Sequence, residues 1–462
     1  MWMLWCLILL RADYARASFT GMKSLSFGLV AALVWGPVLL RAEAVKDREG
    51  AVRKDRELME HDARWNYNDV RSGFAQAKRT GKPLLVVLRC VPCLSCAGID
   101  AGVLSDAALA PLLDQFVCVR VINANALDLK LFQFDFDLSF TTMFFNGDGT
   151  VYGRFGSWTH QKNPLEKDTA SFRKALEAAL AVHKGYPGNR ESLAGKQGGP
   201  TPFKTPVDMP TLVGRYSLDL NWSGKVVQSC VHCHQIGDAS RVYYREQKKP
   251  MPTELVYAFP GPDAVGLKLA ADSIARVEAV AANSSAARAG IKAGDELVAL
   301  AGQPLVSAAD VSWVLHRAPE SGALAATLRS GGGERTVQLD LPAGWRSKAD
   351  FAKRVGTWGM RGMATGGLVL EDLGNDERSQ NKLGKDGMAL LVKFVGQYNK
   401  HAAGKNAGFR KDDIIVELDG LSQRMSEIEM MGHLLQKRMP GEKVKAVVLR
   451  GTERVRLELP MQ

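Results

Sequence analysis

"RWNYNDVRSGFAQAKRTGKPLLVVLRCVPC", Arg64 to Cys93, decides how the first half of the chain is read. It predicts an amphipathic helix ending near Gly81, with Pro83 as the breaker, and then an apolar β run that leads straight into two cysteines. Further β runs follow at "FVCVRVI", Phe116 to Ile122, and at "TTMFFNGDGTVYGRFG", where Asn146-Gly147-Asp148-Gly149 reads as a hairpin turn. "DTASFRKALEAALAVHKG" closes the unit as a capped helix. Helix, strand, cysteine turn, helix, strand, hairpin, helix is the order of an α/β layer fold with a mixed sheet.

The cysteines stand where such a fold concentrates chemistry. Cys90-Val91-Pro92-Cys93 lies at the end of a buried strand and the start of a helix. Free backbone N–H groups and the helix dipole stabilise a thiolate there, lowering a cysteine pKa from about 8.5 to about 7 or below. Pro92 suits the first helical turn because it has no N–H to leave unpaired. Cys90, nearest the junction, is expected to be the most acidic thiol. Cys96 falls one helical turn beyond Cys93 on the same face, where a third thiol would form a competing disulfide or complete a metal site for zinc or copper. Three readings stay open for this cluster: redox thiols, a metal site, or a structural disulfide.

Length and charge narrow the class. A chain of 462 residues, 46% hydrophobic, is long enough for about three domains. The net charge of +11 is spread along the chain beside acidic residues, as in "KDREGAVRKDRELMEHD", which reads as a solvated surface rather than a nucleic-acid site. "MKSLSFGLVAALVWGPVLLRAEA", Met22 to Ala44, has a basic start, an apolar stretch from Leu25 to Leu40 and an A-x-A end, the pattern of a secretory signal. Met22 is the preferred start over Met1. Export to the periplasm or beyond is expected, with an uncleaved N-terminal membrane anchor as the alternative. Six cysteines then remain in an oxidising compartment, too few for a disulfide-built scaffold.

"QSCVHCHQIG", Gln228 to Gly237, gathers two cysteines and two histidines. C-x-x-C-H is the spacing at which Cys230 and Cys233 would add to the vinyl groups of a haem c, with His234 as axial ligand and Met251 of "KKPMPTEL" as a sixth. A disulfide or metal clip, and an inert pair, are the other readings. Gly185 to Pro210 is dense in Gly and Pro without an apolar period, which predicts a linker. Beyond it the sequence repeats: "AGIKAGDELVALAG", Ala289 to Gly302, aligns without gaps to "AGFRKDDIIVELDG", Ala407 to Gly420, with six of fourteen positions identical. Each copy runs on through a capped helix, after Ser307 and after Ser426, into β-rich segments ending at Leu341 and Leu459.

Trp65, Ala75, Ala77, Gly81, Lys82 and Pro83, ahead of Cys90-Val-Pro-Cys93, resemble the thioredoxin-like branch with a CxxC active site. The resemblance implies Cys90 as nucleophile and Cys93 as resolving thiol. One departure is Thr141 in "SFTTMFF", where thioredoxins place a cis-proline facing the disulfide. The repeated segments resemble the PDZ domains of bacterial envelope proteins, in which a peptide C-terminus adds as a strand beside a glycine loop and against a helix. The resemblance implies a first groove at Gly266, Leu267 and Leu269 with a helix from Asp310 to His316. It implies a second at Gly367, Leu368 and Leu370 with a helix from Glu427 to Lys437, packing with blocked grooves being the alternative. No G-x-S-x-G or comparable protease motif accompanies them.

Over nearly its whole mature length the chain is similar to bacterial thioredoxin-like/PDZ proteins, some of which carry selenocysteine. The expected layout is a signal in 1–44, a thioredoxin-like domain in 45–184 and a linker in 185–210. A CxxCH segment in 211–260, a first PDZ domain in 261–345, a connector in 346–362 and a second PDZ domain in 363–462 complete it. The expected function is thiol redox chemistry delivered to partners whose C-termini the PDZ domains bind. The rival is a non-enzymatic envelope adaptor with structural or metal-binding cysteines.

Overall fold

The order of strands in the first sheet follows from which runs are apolar on both faces. Leu84–Arg89 (β2) is buried at every position, as are Val117–Val121 (β3) and Phe140–Phe145 (β4), so these three occupy the middle. Trp65–Tyr67 (β1) and Val151–Ser157 (β5) take the edges, giving the order β1-β3-β2-β4-β5. β1, β3 and β2 run parallel, while β4 and β5 are antiparallel. The computed structural model describes residues 47–89, 103–138, 140–157, 169–352 and 354–462. Cys90, Cys93, Cys96 and the signal sequence lie outside the described residues.

Local signals place the elements as the sequence predicts. The helix Val70–Thr80 (α2, after Arg48–Met59, α1) begins at Asp69, whose side chain accepts from Ser72 N–H, and ends at Gly81 in the left-handed conformation, φ 68°. Asn146 to Gly149 turns β4 into β5, with Asn146 N–H bonded to Thr150 O at 2.8 Å. Thr169–Gly185 (α3) covers one face of the sheet through Phe172, Ala175, Leu176 and Ala179.

The predicted linker is a packed strap. Leu193 and Lys196 are fully buried, Lys196 O accepts from Arg154 of β5 at 2.9 Å, and Lys204 O accepts from Leu129 N–H. Glycine and proline here let the backbone follow a surface closely.

The two repeats share a succession of strands, helix and hairpin, the first carrying an additional short strand, Gln303–Pro304. The first has Leu267–Leu269 (β6), Val277–Val280 (β7), Glu296–Leu300 (β8), Gln303–Pro304 (β9), a helix Ala308–Arg317 and the hairpin Gly322–Ser330 (β10) and Gly333–Leu341 (β11). The second has Leu368–Asp372 (β12), Leu390–Val395 (β13), Ile414–Leu418 (β14), a helix Glu427–Lys437 and the hairpin Lys443–Arg450 (β15) and Glu453–Pro460 (β16). With Cys233–Glu246 as α4, the repeat helices are α5 and α7, and α6 is Val355–Ala364 between them. One apolar core runs from Leu297 and Leu328 of the first copy through Trp345, Phe351 and Met360 to Leu390 and Val448 of the second. The expected connector is thus part of the core, and α6 packs on both α7 and α4.

Candidate functional site

The C-x-x-C-H segment folds back onto the carboxyl ends of β2 and β3, the end of a parallel sheet where α/β proteins place their ligands. Asn125, fully buried in the loop after β3, holds it there. Its Oδ1 accepts from Val231 N–H at 2.7 Å and its Nδ2 donates to Ser217 O and Ser229 O, both at 2.7 Å. From α1, Glu49 accepts from the N–H groups of Val226 and Val227 at 2.9 and 3.1 Å. Cys230 Sγ donates to Ile122 O at 3.4 Å. Cys233 opens α4, and Gln235 caps that helix by accepting from His232 N–H at 2.8 Å.

Both sulfurs border a cavity of about 20 Å³ shared with Leu88, Arg89, Val121 and Ile122. Burial pushes the Cys230 thiol up to about 11, and burial with the neighbouring Cys230 pushes Cys233 up to about 12. Neither is in a disulfide in this structure. Such a cavity is the size of about one water molecule. Met251, expected as the sixth ligand, is 1% exposed in the C-terminal core, its N–H on Leu435 O. Met251 thus belongs to the C-terminal core and not to the apolar cluster around Cys230. Nor, among the described residues, do three His, Cys, Asp or Glu side chains gather as a metal site.

A second region joins the first sheet to the first repeat. α5 lies on β5: Asp310 accepts from Lys196 Nζ at 2.8 Å and from Arg154 N–H at 3.0 Å, and Arg154 stacks on Trp313 at 3.5 Å. Between them a cavity of about 80 Å³ is bordered by Thr141, Asp135 and Arg154 from the first domain and by Pro262, Ala308 and Ser312 from the repeat. Thr141 Oγ1, Asp135 Oδ2 and Arg154 Nη1 are buried there without a hydrogen-bond partner. A larger cleft of about 310 Å³ continues past Phe134, Tyr243, Trp313 and His316.

The implied peptide sites differ between the copies. Among the described residues β6 pairs with β7 alone, and its outer edge carries no strand. Gly266 N–H is taken by Asp263 O at 2.9 Å, Leu267 is buried and Leu269 half-buried. In the second copy Gly367 N–H bonds to Arg361 O at 2.9 Å and Leu370 N–H to Glu427 Oε1 at 2.8 Å, while Leu368 is buried. In the second copy the backbone donors of Gly367 and Leu370 are therefore both taken by the chain itself, the latter by a side chain of the flanking helix. Sequence patterns do not reveal Asn125, Asp310 or Lys196, because a lone polar residue reads as surface until its partner is known.

Residues 65–147 match the family described as thioredoxin-like, and residues 276–324 match the PDZ domain. The chain thus contains a thioredoxin-like domain and a PDZ domain. No curated protein matches it. Solved structures similar to part of it include an HtrA-type protease, AlgW with decapeptide, at 19% identity over 30% of this chain, TM-score 0.20. A second AlgW form with decapeptide matches at 17% identity, 30% coverage and TM-score 0.20. The chain spans less than half the length of either, 44% and 40%. Among the described residues no helix is long and apolar enough to cross a membrane.

Proposed function

We propose that this is an exported thiol–disulfide exchange protein whose first PDZ domain presents a client segment to the Cys90-Val-Pro-Cys93 pair of the thioredoxin-like domain. The observation that supports it is the cavity between Thr141 and the Ala308–Ser312 face of α5. Thr141 stands at the position that thioredoxins use to face a substrate disulfide, and α5 is the helix that flanks a PDZ peptide groove. A client held along β6 would lie beside that cavity, where Thr141 Oγ1 and Arg154 Nη1, which lack hydrogen-bond partners, would supply hydrogen bonds to the incoming backbone. Holding the client raises the effective concentration of its disulfide at the thiols.

Export rests on the signal pattern from Met22 to Ala44, and the mature protein would begin at Val45. N-terminal sequencing of the native protein checks this, and a chain starting at Met1 or Met22 would refute it.

The second copy supplies the variant that tests client binding. Glu427 follows the capping Ser426 and plugs the strand beside it; the equivalent residue after Ser307 is Ala308. Ala308→Glu is expected to weaken binding of a peptide with a free apolar C-terminus at least tenfold, about 1.4 kcal/mol, by calorimetric titration. It should raise KM for a disulfide carried on that peptide, with a small soluble disulfide as the control substrate. Equal peptide affinity in wild type and variant would remove the client-presenting role.

A further inference from the structure

We infer that the cavity between β5 and α5 is a binding site for a free, short-chain carboxylic acid, whose carboxylate sits on Arg154 Nη1 and Thr141 Oγ1. The site goes beyond client presentation and holds whether or not a peptide binds along β6; where one does, the two contend for the same donors.

Unmet hydrogen bonding is the first argument. Arg154 is 2% exposed and Thr141 3%, and both border the cavity of about 80 Å³. Arg154 Nε donates to Gln133 O at 2.7 Å and Nη2 to Lys196 O at 2.9 Å, which leaves Nη1 without a partner, as Thr141 Oγ1 is. A buried donor left unpaired costs stability that a ligand recovers. Charge is the second argument. Lys196 and Arg154 have one carboxylate between them, Asp310, and Lys196 Nζ takes it at 2.8 Å. Asp135, also at the cavity wall, is paired with Arg354 at 3.4 Å. Arg154 is therefore the cation left over. Burial, only partly offset by Asp310, pushes its guanidinium down to about 9, as expected of a cation short of a counter-ion. The first turn of α5 reaches the same cavity through Ala308 and Ala309, and the N-terminal end of a helix favours an anion.

The second repeat shows what is missing. There Glu427, at the position equivalent to Ala308, accepts from Nε of the buried Arg361 at 2.9 Å. The first copy also sets a buried arginine beside the start of its helix, but it has alanine in place of the glutamate and a cavity beside that alanine. A ligand supplies from outside what Glu427 supplies from within. Size and lining choose its class. A dry cavity of about 150 Å³ takes a benzene ring, so one of about 80 Å³ takes an acid of about two or three carbons. Phe134, Leu138, Phe155, Phe259 and Pro262 give its alkyl end apolar walls, against which a strongly hydrated inorganic anion loses water without return.

The test is equilibrium dialysis of the full chain against radiolabelled propionate near neutral pH. Wild type should retain one equivalent with a Kd of about 1 mM or below. Thr141→Val keeps the side-chain shape and removes the hydroxyl, and should weaken retention about tenfold or more. Ala308→Glu should abolish retention and raise the thermal midpoint, its carboxylate reaching Arg154 as Glu427 reaches Arg361. One variant removes a donor and the other fills the cavity, so each decides the matter where the other unfolds. No retention by wild type would mean that water alone fills the cavity, and equal retention by wild type and both variants would place propionate elsewhere; either overturns the site. Chloride or sulfate displacing propionate as well as acetate does would overturn the class of ligand. If a peptide with a free C-terminus displaces propionate and its C-terminal amide does not, the carboxylate is the client's and the free-acid assignment falls.

Discussion

His316 on α5 shows what burial does to one titratable group at the seam between domains. Its Nδ1 accepts from Phe259 N–H at 3.3 Å and its ring stacks on Phe259 at 4.1 Å, while Phe259 itself is held at φ 47°, a conformation an aromatic residue adopts at a cost. Burial, reinforced by Arg317, Arg346, Arg154 and Arg354, pushes His316 down from 6.5 to about 3. A base with a depressed folded pKa leaves the unfolded state with more protons in the window between the two values. Its contribution to stability is complete above pH 6.5 and declines as the pH falls towards 3. Asp135, raised by burial, works in the opposite sense, because its folded form holds a proton that the unfolded form has lost. The unfolding free energy of wild type from urea titrations is therefore expected to drop from pH 6.5 to pH 4 more steeply than that of His316→Gln, by up to about a few kcal/mol. Parallel pH profiles would show that His316 is solvated. None of this was legible in the sequence, where His316 reads only as the polar end of a helix; its partner lies in a different segment, 57 residues away.

At the scale of elements, the parts written in local chemistry were legible. Ser307 and Ser426 cap helices, Gly81 ends one, and Asn146 to Gly149 turns a hairpin, each within a few residues of its partners. The strap from Gly185 to Pro210 and the connector helix α6 were not, because composition reports flexibility and says nothing of what a segment packs on. Lys196 in the strap is buried only because Asp310, 114 residues on, is there to meet it. The repeat was legible, but not that Glu427 takes the Leu370 donor of its second copy, its carboxylate holding both Arg361 Nε at 2.9 Å and the edge of β12. That pair is 9% exposed on each side. Removing one partner of such an ion pair strands the other in a low dielectric, so Glu427→Ala is expected to destabilise the protein by about 3–5 kcal/mol. Chemical denaturation checks it. A loss below about 1 kcal/mol, as for an exposed pair, would mean that α6 and α7 are not locked together.

For the whole molecule, the question is whether the thioredoxin-like domain and the PDZ domain act as one body, since client presentation depends on Thr141 and α5 keeping their places. Gly153 in β5 is the residue that decides it. An added Cβ there would stand 2.2 Å from Val306 Cγ2 and 2.6 Å from Asp310 Oδ2, so the sheet and α5 approach more closely than any side chain permits. Behind that contact lie the buried Lys196–Asp310 pair, the Ser307 hydroxyl donating to Arg154 O, and Arg154 stacked on Trp313. Wild type is expected to unfold in one calorimetric transition, with the two domains coupled through this seam. Gly153→Val should wedge the seam apart and split the melt in two. The same variant should keep reducing a small soluble disulfide while losing the advantage of a disulfide carried on a PDZ-binding peptide. If the peptide-borne substrate stays favoured after the transitions separate, docking of α5 on β5 is structural alone, and the client reaches the thiols without the cavity at Thr141.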